Sequence, residues 1–484
     1  MRKSILLAVV LMVAFVAVPA FASVQNVKVS GSIDSTFLSR TNFDLGFDLD
    51  GDETQNLFIT QTTLQVDADL TDQVSATVGL INERPWNTGS ETGATTDIDL
   101  YLAYVTLREM LYSPLTVVVG RQEFSYGNSL VVDSGGTNNA APGDSNLGVA
   151  GDLTKQTVQD AVRLIFDYNP LTLEVLYSKL DSRTNVLAND ARDDIDLYGV
   201  NSTYELGDDL NTQVEAYFFA RIDKLALAGR GGTTKSDTVY VPGLRASADI
   251  LDGLNVQGEV AWQRGNRVNT TSGAENDNQQ REAMAAQIIS NYQIPNDVLP
   301  DGLEEYKPSL QYVYTYVSGD SNPNDTATQG AAGTYTQNTW TAWDPMLENQ
   351  GGRKIYNALF NLSNAHIHAV KLTANPMEDV TTSVTWTGLS LDKDINGGNR
   401  SFGLLQPDGG GAIALGTSQY KVDEKSLGYE IDVEAIYDYT EDVQIGATLG
   451  WFVPGDIFDV TPVAFANELD NVASQAIIHG IVNF

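Results

Sequence analysis

Arg121, Gln122 and Glu123 stand side by side in VVVGRQEFSYGNSLVV, the stretch from Val117 to Val132, where a β-branched run would otherwise make an ordinary strand. A guanidinium beside a carboxylate would spoil an apolar core, but on the wall of a water-filled pore the two set a local field that sorts ions. The same residue types recur in other alternating segments. Arg163, Arg221, Arg245 and Lys371 supply the basic half, and Glu215, Asp223, Glu430, Asp432 and Glu434 the acidic half. Placed by parity on the wet face of their strands, these residues would form a basic track opposite an acidic wall. The simpler alternative is that Arg121 pairs with a neighbouring carboxylate and only holds the wall together.

Other constellations point to weaker chemistry. Asp48, Asp50 and Asp52 in FDLDGDE match the first, third and fifth positions of a calcium loop, but the glycine comes early and Ile59 stands where the bidentate Glu belongs. A solvated acidic loop explains them as well. His366 and His368 share a strand face, yet their phase matches the outward Val370 and Leu372 and no third ligand accompanies them, which suits interfacial histidines better than a metal site. His479 stands alone, and no Ser/His/acid pattern marks a hydrolase, so the chain is expected to be neither an enzyme nor a cofactor protein.

These side chains need elements that expose one face to water and the other to something apolar. LGYEIDVEAIYDY, Leu427 to Tyr439, puts Leu427, Tyr429, Ile431, Val433, Ala435, Tyr437 and Tyr439 on one face and Glu430, Asp432, Glu434 and Asp438 on the other. Likewise Val214, Ala216, Phe218, Ala220 and Ile222 oppose Gln213, Glu215, Tyr217, Arg221 and Asp223. A soluble sandwich alternates in the same way, so the connections decide. Short turns such as Thr71-Asp72-Gln73, Asp252-Gly253 and Thr440-Glu441-Asp442 take turns with long polar excursions such as 40–53, 125–157, 319–365 and 392–424. That is the organisation of an all-β transmembrane antiparallel β-barrel with short periplasmic turns and long extracellular loops, of about 18 strands, with 16 as the fallback count because 279–290 and 352–375 are weakly patterned. Closure removes the unpaired strand edges that hydrocarbon would penalise. Trp262, Trp386, Trp451, Tyr312, Tyr314 and Tyr316 suit interfacial aromatic girdles.

Composition fits this reading. Arg2 and Lys3 precede an apolar run from Ile5 to Val18 and an Ala20-Phe21-Ala22 cleavage pattern, so residues 1–22 are expected to be a signal peptide and 23–484 the barrel. A net charge of −35 disfavours nucleic acid as a partner, and the absence of Cys excludes disulfides and thiol chemistry. The last strand ends ASQAIIHGIVNF, with Phe484 terminal and Val482, Gly480, Ile478 and Ala476 sharing its face. This pattern is similar to the assembly signal of outer-membrane barrels, implying the barrel-assembly machinery as a partner beside outer-membrane lipid and lipopolysaccharide.

GRQEFSYGN, Gly120 to Asn128, resembles the Gly-Arg-Gln-x-x-x-Tyr-Gly-Asp signature of the alginate-export family of outer-membrane porins, with Asn128 where Asp is usual. QDAVRL, Gln159 to Leu164, resembles the family's following strand, with Gln159 replacing Phe, and Leu427 to Phe458 resembles its penultimate hairpin and the Phe-x-Pro-Gly-Asp after it. The resemblance implies an outer-membrane channel, in the namesake a conduit for an acidic exopolysaccharide. By parity, Asp67, Asp69, Glu83, Glu123, Glu174, Glu259 and Asp438 join the inward acids, a lining that would repel such a polyanion. The expected function is therefore a porin for passive diffusion of small hydrophilic solutes or ions, cation-favouring, in the bacterial outer membrane. Alternatives are export of an alginate-like polymer, or a surface-adhesion barrel acting through loops such as 319–365, which carries Trp340 and Trp343 and could equally fold into the lumen. Oligomeric state is left open, with a monomer favoured.

Overall fold

Period-two alternation becomes structure once each strand has a neighbour on both sides. The computed structural model describes residues 26–43, 45, 54–86, 98–111, 114–134, 148–182, 194–224, 236–268, 278–321, 339–394, 404–405, 412–413, 424–459 and 471–484. The expected signal peptide and the acidic triplet Asp48, Asp50 and Asp52 lie outside them.

The wall begins with β1 (Asn26–Thr41), β2 (Thr54–Thr71), β3 (Val74–Pro85), β4 (Asp99–Met110), β5 (Leu115–Gln122) and β6 (Gln159–Asp167). It continues with β7 (Leu171–Ser182), β8 (Asp194–Glu205), β9 (Gln213–Asp223), β10 (Asp237–Leu251), β11 (Leu254–Val268), β12 (Asn278–Gln293) and β13 (Ser309–Val317). A two-residue strand, β14 (Thr339–Trp340), pairs in parallel with the loop end of β12. The wall resumes at β15 (Ala365–Met377) and β16 (Val380–Leu391). After the short pair β17 (Leu404–Leu405) and β18 (Ala412–Ile413), it finishes with β19 (Ser426–Thr440), β20 (Val443–Pro454) and β21 (Ala473–Asn483).

Setting aside the three two-residue strands, each strand pairs antiparallel with the next, and β21 returns to β1 from Ser32↔Asn483 to Thr41↔Ser474, closing an 18-stranded barrel. The backbone polar groups of the wall are thereby satisfied within it. At one end β2–β3, β10–β11, β15–β16 and β19–β20 turn tightly, and at the other end lie all the long connections but one. The segment 279–290, weakly patterned in sequence, is wall, within β12. Residues 352–364 are not. The one long connection at the tight-turn end, 294–308, makes two short helical turns, Asn296–Val298 and Glu304–Tyr306, the second of which packs against β15.

Inside and outside are plain from packing. Val214, Phe218, Tyr429, Ile431 and Val433 are exposed on the outer surface, where lipid would cover them, while Glu215, Tyr217, Phe219, Glu430 and Asp432 are buried. Leu427 departs from its sequence phase. It is fully buried, because the register between β16 and β19 shifts at Ser390 and Gly428, with φ 122°, twists the strand so that Leu427 turns inward. Trp386, Trp451 and Tyr437 remain outside. So do His366 and His368, whose rings stack against Tyr314 and whose Nδ1 atoms meet the Tyr314 and Tyr312 hydroxyls at 2.8 and 2.9 Å. This pairing satisfies polar groups that face the bilayer.

Candidate functional site

A wide barrel whose inner wall carries buried carboxylates must give each of them a partner. Here the partners come from connections at the long-loop end that fold into the lumen. The first is the continuation of β5. Phe124, Tyr126, Leu130, Val131 and Val132 join the interior cluster with Leu176, Leu197 and Phe219 of the wall. At its apex Gly127 and Ser129 take left-handed backbone, φ 62° and 59°, and the turn presents two successive N–H groups to two different wall carboxylates. Gly127 N donates to Glu215 at 2.9 Å and Asn128 N to Glu259 at 2.6 Å. A Cβ at residue 127 would stand 2.7 Å from both Glu259 oxygens, which accounts for the glycine. Tyr126 donates its hydroxyl to Glu174, which also pairs with Arg163 at 2.5 Å. Arg245 donates Nε to Asn128 Oδ1 at 2.6 Å and reaches Gln213 and Gln257, so an Asp at 128 would complete a salt bridge that Asn128 makes as a hydrogen bond.

The second inward segment precedes β15. Asp344 receives the Arg221 guanidinium at 2.9 and 2.6 Å and lies 3.3 Å from Arg281. Its backbone exchanges two hydrogen bonds with the Gln263 amide. Trp340 lies under Arg267, 3.6 Å from the guanidinium carbon. Further on, a helical turn, Ile355–Leu359, offers the unsatisfied N–H groups of its first residues to one carboxylate: Ile355 N and Tyr356 N donate to Glu430 at 2.8 and 2.7 Å. Lys354 pairs with Asp432 at 2.9 Å. The two segments are tied to each other through Val132 and Leu347, with Asp133 N donating to Leu347 O at 2.8 Å and Leu347 N to Val131 O at 3.2 Å. A third segment, 150–157, packs on Leu38, Ile59 and Ile477. Asp152 pairs with the buried Arg40 at 2.5 Å, Lys155 with Asp34 at 2.8 Å, and Thr154 and Lys155 N donate to Glu83 at 2.7 Å each.

The candidate residues therefore separate into distinct roles. Glu215, Glu430, Asp432, Arg163, Arg221 and Arg245 face inward, but as anchors of inward segments and not as one basic track opposite an acidic wall. Asp223 follows at the loop end of the Arg221 face. Arg121 and Glu123 require a correction. The inner face of β5 belongs to Gly120 and Gln122, which lie opposite Ala161 and Gln159, and Gln122 Nε2 donates to Ala161 O at 3.0 Å. Arg121 falls on the other face and approaches Asp160 at 3.6 Å, and the exposed Glu123 accepts from the Tyr101 hydroxyl. Parity defines two faces without saying which is inside, and at the loop end of this strand both are polar. The sequence reading also passed over Asp34, Arg40, Asp152, Lys155, Arg281 and Asp344, which hold the inward segments. His479, alone in sequence, faces Arg353 across 3.4 Å.

Between the second inward segment and the inner face of β13–β20 remains a chamber of about 410 Å³ with charged, polar and apolar lining. Its charged groups are Arg353, Lys354, Lys371, Asp432 and Glu434, and Lys371 and Glu434 meet at 3.4 Å, each about one-third exposed. Gln311 and Lys371 also line a wider cavity of about 850 Å³ at the tight-turn end, where Asp209, Asp249 and Asp252 stand.

Comparison with known proteins agrees with this architecture. The chain is similar over 95% of its length to crystal structures of Pseudomonas aeruginosa outer-membrane proteins. OccK2 (OpdF) aligns with a TM-score of 0.52 at 10% identity over 98% of its chain, OccK11 (OpdR) with 0.51 at 10% over 96%, and OpdK, solved with vanillate, with 0.51 at 9% over 100%. At such identity the likeness concerns the fold, that of outer-membrane porins. No curated protein matches the chain in sequence. The family described as alginate export matches residues 26–469. With a closed 18-stranded wall, a porin-like channel fold and a family match over nearly all of the described residues, the chain belongs to the alginate export family of outer-membrane barrels.

Proposed function

We propose that the protein is a passive diffusion channel for small hydrophilic solutes and ions, weakly cation-favouring. The carrying observation is the loop-filled lumen. Three segments fold into the lumen, the first held by hydroxyl and backbone N–H donors on wall carboxylates and the other two by ion pairs, and the chamber of small-molecule size beside the second shares Gln311 and Lys371 with the wider cavity below it. Cation preference is supported by that wider cavity, where Asp209, Asp249 and Asp252 outnumber Lys371, and by the net charge of −35. An adhesion barrel working through 339–364 is disfavoured, because Trp343, Leu359 and Phe360 of that segment are buried inside the wall. Reconstitution in planar bilayers under a salt gradient tests the reading. A reversal potential of the cation-selective sign is expected, and an anion-selective one would overturn it.

A second reading, passage of an acidic exopolysaccharide, is favoured by family membership and by one observation: Glu174, Glu215, Glu259 and Glu430, which would repel a polyanion, are engaged by hydroxyl, guanidinium and backbone N–H donors. Oligouronate that slows the salt current at micromolar concentration would favour this reading, and a current indifferent to it would favour the first.

A further inference from the structure

Resting on the channel reading, we propose that the chamber beside Lys371 and Glu434 is a binding site for a neutral polyhydroxylated solute of roughly one or two sugar rings. Its two lysines are internally compensated. Lys371 stands 3.4 Å from Glu434 and Lys354 2.9 Å from Asp432, while Arg353 lies 3.7 Å from Asp34, a carboxylate that Lys155 also holds at 2.8 Å. A carboxylate solute would have to displace a resident carboxylate from its cation, and a cationic solute a resident lysine, each leaving a charge unpaired in a confined space. A neutral polyol displaces neither, because its hydroxyls donate to Glu434 and accept from Lys371 at once.

The remaining lining suits the same class. Gln311, Thr315, Gln350, Ser383, Thr385 and Thr448 present amides and hydroxyls. The hydroxyls of Thr385 and Thr448 have no side-chain hydrogen bond among the described residues, so they are available to a ligand. Against them run Val313, Ile367, Ala369 and Leu362, an apolar strip matched to the C–H face of a sugar ring, with Tyr356 beside it. The chamber lies on the route to the tight-turn end, where Gln311 and Lys371 would meet a solute in either cavity.

The test is block of the salt current through single reconstituted full-length channels by glucose and maltose, with glucuronate and glucosamine as charged controls. Expected are saturable interruptions by the neutral sugars, with half-block at a concentration at least about tenfold below that for either charged control. The double variant Thr385→Val, Thr448→Val is expected to raise the maltose half-block concentration about tenfold, from loss of two hydroxyl hydrogen bonds. Channels that conduct salt but show no saturable block by neutral sugar, or that glucuronate blocks at lower concentration than maltose, overturn the proposal while leaving the channel reading in place. Reconstituted barrels that carry no salt current overturn both.

Discussion

The substitution Asp344→Asn bears most directly on the idea that buried ion pairs hold the lumen narrow. Asp344 bridges Arg221, at 2.9 and 2.6 Å, and Arg281, at 3.3 Å, and their side chains are 16%, 20% and 5% exposed in that order. Removing the negative charge leaves the largely buried Arg221 guanidinium facing an amide, while Arg281 keeps Asp237 at 2.8 Å, a loss of about 3–5 kcal/mol for breaking a buried pair of this kind. Applied to docking of the inward segment, that loss multiplies the undocked fraction roughly 10²- to 5 × 10³-fold. Single-channel recordings should then show frequent wide openings and added current noise. Acidity should not imitate the substitution. Burial alone would raise the Asp344 carboxyl, but Arg221 and Arg281 outweigh it and hold the group well below the usual carboxylate range. Because the docked form has the depressed value, its contribution is complete above the ordinary Asp range near about 4 and is lost only as pH falls through the lower docked value. Between neutral pH and pH 5 the Asp344 latch should therefore stay shut in the wild type. Asp344→Asn channels whose conductance and noise match the wild type, in a barrel that still shows heat-modifiable gel mobility, would refute the reasoning.

Arg40→Ala removes the partner of Asp152 at 2.5 Å and of Gln475 at 2.8 Å and should cost about 3–5 kcal/mol; denaturant unfolding in micelles at wild-type midpoint would contradict this. Gly127→Ala forces a Cβ to within 2.7 Å of both Glu259 oxygens at a φ of 62°, a penalty of about 1–3 kcal/mol, and should appear as added current noise, absent if the Gly127 turn plays no part in docking the first inward segment. At the closing seam, Phe484 N donates to Gly31 O at 3.0 Å and Gly31 N to Phe484 O at 2.8 Å, with the Phe484 ring covering Gly31. Phe484→Ala and Gly31→Ala, the latter placing a Cβ 2.5 Å from Thr63 O, should both lower the folded fraction on heat-modifiability gels, and equal yields would remove the terminal aromatic from any part in closure or assembly.

The wall was legible because its physics is local. A strand between lipid and water must alternate, and β19, with Tyr429, Ile431 and Val433 outside and Glu430 and Asp432 inside, writes that requirement residue by residue. The sorting of short and long connections gave the topology for the same reason. What alternation does not carry is which polar face is the inner one when both are polar, as at Arg121. Nor does it carry a phase through a bulge, as at Leu427.

The loops were less legible for a different reason. Length and polarity made 125–157 look like an extracellular excursion and left 319–365 open between lumen and surface, although a signal for the lumen was present: Ile355, Ala358, Leu359, Phe360 and Leu362 form an apolar cluster that solvent would not favour, and all are buried. Read together with the wall, that cluster changes the meaning of the acidic lining. A carboxylate facing an open bore repels anions, but Glu215, Glu259 and Glu430 each accept one or two backbone N–H donors from an inward segment, whose dipoles offset part of that field. The buried inner carboxylates hold the inward segments, and selectivity rests on the side chains left in the chamber and at the mouth, Lys371 and Glu434 above and Asp209, Asp249 and Asp252 below. Substitutions among the mouth aspartates should therefore move the reversal potential, whereas Glu259→Gln should loosen the loop and leave selectivity nearly where it was.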